Sequence, residues 1–163
     1  MIPKFSGPFT IITPHARLLY KEFESASLAW ESLMGTIIEI DELIESHPRL
    51  EKADTHCFVV FSTSSEKVWV GREIIGHRSS WPNSFKIFDT FKGEAFEWRL
   101  EGPEECPMIQ EILQWKEQLT GLAPTSLAAT WRMKLSPMEG LTINSNNAVG
   151  KIPNIAFQFF KSH

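Results

Sequence analysis

The chain has 163 residues, 42% hydrophobic and 22% charged, with a formal net charge of −4. That length fits one domain over residues 1–163, large enough to fold without disulfide or metal staples. The acidic balance argues against a surface that grips nucleic acid on its own, since such proteins carry a net basic footprint.

Six Trp and twelve Phe call for an aromatic core, or for a core plus an aromatic contact surface. Cys57 and Cys106 form neither a disulfide framework nor a CxxC metal pair. No apolar run approaches the ~20 residues of a membrane span, and "MIPKFSGPFTIITPHARLLY" has no continuous apolar stretch. A cytoplasmic, reduced protein with no membrane partner is expected.

In chain order, "FTIIT" (Phe9–Thr13) reads as a strand ended by Pro14. In "HARLLYKEFESASLAWESLMG", Leu19, Phe23, Ala26, Trp30 and Leu33 recur at helical spacing, which predicts a helix capped by Gly35. "TIIEI" reads as a strand and "DELIESHP" as a short helical turn, capped by Asp41 and stopped by Pro48. "THCFVVFSTSSEKVWVG" predicts a hairpin with Cys57, Val59 and Phe61 on one face. "REIIGHRSSWPNS" is a loop containing some extended chain.

"FKIFDTFKGEAFEWRLEG" alternates on two arms about Lys92-Gly93, which predicts a second hairpin. Phe85, Ile87, Phe91, Phe96, Trp98 and Leu100 form its inner face. Asp89 breaks that face, and a wet strand edge or a cross-strand cation would answer it. A second main helix follows, with Pro107 in its first turn, an apolar stripe through Ile109, Ile112 and Trp115, and Gly121 at its end. "SLAATWRMKL", "LTINS" and "NIAFQFF" are strands separated by turns at Pro137–Gly140 and Asn144–Pro153. The expected fold is α+β: a mostly antiparallel sheet of about seven to nine short strands, curved or closed into a partial barrel, packed with two main helices.

No catalytic residue, cofactor site or metal site is expected. His15, His47, His56, His77 and His163 form no HxxxH or HExxH pattern. His56 and Cys57 are neighbours on a strand and so point to opposite faces. Glu104-Glu105 are explained by the helix they precede, and the glycines form no phosphate-binding loop.

One segment is locally basic. "GREIIGHRSSWPNSFK" brings Arg72, His77, Arg78 and Lys86 together with Trp81, a composition able to contact phosphates and stack a base. With the inner aromatics of the second hairpin assigned to the core, its opposite face leaves Lys86, Phe88 and Arg99 beside this loop. The expected partner or RNA contacts are therefore Arg72, His77, Arg78, Trp81, Lys86, Phe88 and Arg99.

The stretch "VWVGREIIGHRSSWPNSFKIFDTFKGEAFEWRLEG" resembles the small Csx-type accessory subunit of type III-D CRISPR interference complexes. The likeness rests on Val68-Trp69-Val70-Gly71-Arg72, a following loop, and a hairpin ending in Glu94, Trp98 and Arg99. It covers about a fifth of the chain. The resemblance implies a non-catalytic subunit of an RNA-guided antiviral ribonucleoprotein. Its partners would be other protein subunits and, through the complex, crRNA or target RNA. The residues alone leave two other readings open: an acidic immunity or inhibitor protein that binds a toxin or other protein, and a β-rich carrier of a small molecule.

Overall fold

A computed structural model describes residues 3–82, 84–89, 92–101, 105–136, 138–144, 146–152 and 154–162. Expectations that fall on Asn83, Phe91, Glu104, Pro137, Pro153 and His163 lie outside the described residues. The protein is α+β. Its elements are β1 (Phe5–Thr13), β2 (Arg17–Phe23), α1 (Ala26–Glu31), α2 (Leu33–Glu45), β3 (Glu51–Lys52), β4 (Cys57–Ser62) and β5 (Ser65–Ile75). They continue with β6 (Phe85–Asp89), β7 (Gly93–Leu100), α3 (Ile109–Thr120), β8 (Leu127–Leu135), β9 (Glu139–Ile143), β10 (Ala148–Lys151) and β11 (Ile155–Lys161).

Several expectations need correction. The helix predicted over His15–Gly35 is divided: Arg17–Phe23 is a strand, and helix begins only at Ala26. Leu18, Leu19 and Tyr20 are all buried, so both faces of this segment need cover, which a central strand receives and a one-sided helix does not. Ser25 then starts the helix by accepting the Leu28 N–H at 3.2 Å. Downstream, "TIIEI" lies inside α2 rather than in a strand. Leu33, Ile37, Ile40 and Ile44 are buried along one helical stripe, and that burial outweighs the cost of Gly35 within the helix, ~1 kcal/mol.

A further correction concerns the hairpin predicted around Lys92-Gly93. β6 pairs with β2, whereas β7 pairs with β1 and β11, and β6 and β7 lie on opposite sides of the sheet. Strand periodicity identifies both arms correctly, but it does not specify their partners. The β4–β5 hairpin forms as expected. β10 occupies chain predicted to be a turn, and it joins β9 in a separate two-stranded sheet. Helix α3 starts at Ile109, so Pro107 and Glu105 precede it. Its first-turn carboxylate is Glu111, which accepts the Met108 N–H at 3.1 Å.

The main sheet runs β1-β7-β11-β8-β4-β5-β2-β6, antiparallel throughout, with β3 paired to β5. Two connections determine its shape. Thr13 to Arg17 and Asp89 to Gly93 each join strands six positions apart along this path. Flat strands would place them ~29 Å apart, but four residue steps reach only ~14 Å. The sheet must curl until its edge strands, β1 and β6, approach each other across an open seam.

The outer face of the curl carries all three helices. Trp30, Ile37, Ile40, Ile112 and Leu119 pack there against Leu19, Val59, Val70, Met133 and Phe157. The inner face holds a smaller cluster of Leu18, Tyr20, Phe58 and Val60, with Trp69 packed against it. Those side chains are buried without a helix over them because the sheet covers itself.

Candidate nucleic-acid and partner interface

The curl divides the seven expected contact residues. Arg72 is removed from the surface. Its Nε donates to Asp41 Oδ1 at 2.6 Å and its Nη2 to Asp41 Oδ2 at 3.1 Å. Its Nη1 reaches the carbonyl oxygens of Thr55 and His56 at 3.2 and 3.1 Å. Arg72 lies on the outer face of β5, where it fastens α2 to the sheet, and its forked geometry suits a carboxylate.

His77, Arg78 and Trp81 lie on the loop before β6, with Trp81 packed against the outer core, whereas Lys86 and Phe88 lie on the inner face of β6. The Arg78 guanidinium lies 5.6 Å from the centre of the Trp81 ring, within cation–π range. His77 Nδ1 is 3.3 Å from Arg17 Nη1, which adds a further cation. Lys86 is exposed. Phe88 packs edge-on against Trp69 at 5.4 Å, and Trp69 stacks on Tyr20 at 4.1 Å, so Phe88 anchors the strand from the inner face. Trp69 Nε1 donates to Glu22 at 3.0 Å, and this bond holds the Glu22 carboxyl below its ordinary range. Asp89 is exposed at the end of β6 with Arg17 opposite it in register.

Arg99 belongs elsewhere. It lies on β7, over the Phe9 ring at 4.3 Å, and its Nε donates to Glu97 Oε2 at 2.7 Å. That contact ends a polar chain across the inner face. Gln158 Nε2 donates to Glu97 Oε1 at 2.8 Å, Arg132 Nε donates to Gln158 Oε1 at 2.7 Å, and Arg132 Nη1 lies 3.7 Å from Glu73 Oε2. Glu73, Glu97, Arg132 and Gln158 are all buried. The Arg132 guanidinium is 4.1 Å from the centre of the Phe58 ring and 5.5 Å from that of Phe160. Burial raises the Glu73 pKa, against the opposing pull of Arg132.

Sequence reasoning missed this chain. Glu97 and Arg132 alternate with Phe96, Trp98, Trp131 and Met133, the ordinary pattern of a solvated strand face. A sheet that rolls over its own polar face leaves no separate mark in that pattern.

Neither cysteine is placed as a nucleophile. Burial pushes both thiols up to about 12, and Cys57 faces the helices. Among the described residues no group of three or more His, Cys, Asp or Glu side chains could hold a metal ion, and no helix is long and apolar enough to cross a membrane. The inner face is filled by side chains. Cavities of ≈ 250 and ≈ 230 Å³ lie toward its two ends, below the ~300–1,000 Å³ of drug-sized ligand sites. The sequence matches no known protein-family model and no functionally curated protein.

Proposed function

We propose that this chain is a non-catalytic accessory subunit of an RNA-guided antiviral ribonucleoprotein of the type III CRISPR kind. It works through protein–protein contacts and, through the complex, contacts crRNA or target RNA. The observation that carries the reading is the composite surface of loop 76–84 and β6. There Arg78 over Trp81 and the His77–Arg17 pair gather cations and an aromatic ring on an acidic protein, and exposed Lys86 adds a cation on the other face of β6. Among the described residues β6 pairs with β2 on one side only and is the last strand of the sheet, so this surface borders the seam. The residues that resemble the accessory subunit run from β5 through this loop into β6 and β7.

The test is native purification of the tagged chain from its own cells, followed by mass spectrometry and RNA sequencing. The expected result is a set of Cas-type subunits with bound RNA. In the double variant Arg78→Glu/Lys86→Glu, RNA cross-linking falls while the unfolding midpoint stays within a few degrees. Recovery of the chain without RNA or protein partners overturns the proposal. Tight, salt-sensitive RNA binding by the isolated chain overturns the partner-dependent mode of action.

A further inference from the structure

One end of the inner face is rich in hydrogen-bond donors and cations. Its ≈ 250 Å³ cavity is bounded by His56, Glu97, Arg99, Lys134, Ser136 and Asn154, among others. The register explains the space: Ala156 on β11 stands opposite Lys134 on β8 and opposite Arg99 on β7. Neighbouring strands lie ~4.8 Å apart, so two cationic side chains are rooted ~10 Å apart on either side of one methyl group.

The polar balance of the walls favours an anion. Two permanent cations, Arg99 and Lys134, face one carboxylate, Glu97, and that carboxylate is already engaged by Arg99 and Gln158. Lys134 makes no hydrogen bond or ion pair among the described residues, though it acts on Glu73 through space. His56 Nδ1 is buried without a hydrogen-bond partner, and Asp54 Oδ1 lies 3.4 Å away. Ser136 Oγ accepts the Asn154 N–H at 2.8 Å, which leaves its own hydroxyl proton to donate. One orphaned buried nitrogen, His56 Nδ1, and a lysine without a hydrogen bond border the cavity, and a ligand's acceptor oxygens would satisfy both.

We propose that this cavity binds a phosphate group, either as the free ion or as the phosphate of a small ester. At ~30 Å³ per water the space holds about eight waters, enough for a phosphate and a short appendage. Lys134 and Arg99 supply the charge, and His56 and Ser136 supply hydrogen bonds. This site stands apart from loop 76–84 and does not depend on the ribonucleoprotein reading.

Isothermal titration of the full chain with inorganic phosphate, and separately with glycerol phosphate, tests it against chloride at equal ionic strength. Saturable binding of at least one is expected. Tighter binding of inorganic phosphate assigns the free ion, and tighter binding of glycerol phosphate assigns the ester. Lys134→Met weakens the affinity about tenfold or more, the loss of a charge-assisted contact. Ala156→Leu fills the space and abolishes binding, with circular dichroism confirming that the variant is folded. Absence of saturable binding overturns the proposal, as does unchanged affinity in either folded variant.

Discussion

Arg72 shows how a residue that reads as a surface cation becomes a structural one. Its side chain is 10% exposed and Asp41's is 26% exposed, so Arg72→Met leaves a carboxylate that water reaches only in part with Lys52 Nζ, 3.8 Å away, as its remaining cation. The expected loss is about 3 kcal/mol, the lower end for a broken buried pair, measured by urea unfolding. A loss below the error of that measurement would return Arg72 to the list of contact residues.

Glu73 makes a different contribution, because burial raises its pKa above the ordinary value of 4.5. A carboxyl raised in this way binds its proton more readily in the folded state. Its contribution is complete below the ordinary glutamate value and is lost as pH rises through the higher native value. Unfolding followed from acid to neutral pH should show that decline in the natural chain and lack it in Glu73→Gln. Identical profiles would exclude Glu73 as the source.

At the scale of elements, what the sequence makes legible is local. Alternation identifies both arms of Phe85–Leu100, the β4–β5 hairpin and β11, because period-two burial is written along a single strand. The stripe through Ile109, Ile112 and Trp115 likewise marks α3. Partner choice is not written there, which is why β6 and β7 read as a hairpin although they pair elsewhere. The same limit affected Arg17–Phe23, where Leu19 and Phe23 fit a helical step and a strand step equally well. Of the expected contact residues, His77, Arg78 and Trp81 stay near one another because they are close in sequence, whereas Lys86 and Phe88 stand on the inner face of β6. Arg99 and Arg72 required the pairing and were misplaced. Cross-linking tests the pairing directly. Tyr20 lies opposite Lys86 in register, so Tyr20→Cys/Lys86→Cys should form a disulfide on mild oxidation. Lys86→Cys/Arg99→Cys, which a hairpin would bring together, should remain reduced. The reverse pattern would disprove the strand order.

The whole molecule is governed by its seam. The strand ends Thr13 and Arg17, and likewise Asp89 and Gly93, lie on opposite sides of the open sheet with only four residue steps between them, too few to let the edges separate. Insertion of several glycines into the 90–92 link is therefore expected to raise amide exchange in β6 more than the same insertion after α3, where no crossing is lengthened. Equal effects would mean that the helices, rather than the links, hold the curl. The same short links give Gln158 a second reading. Gln158 is 2% exposed and bridges Arg132 to Glu97, so its NH₂ protons can exchange with water only when the curled sheet parts. The exchange rate of that one side chain is thus an internal clock for how often the molecule opens.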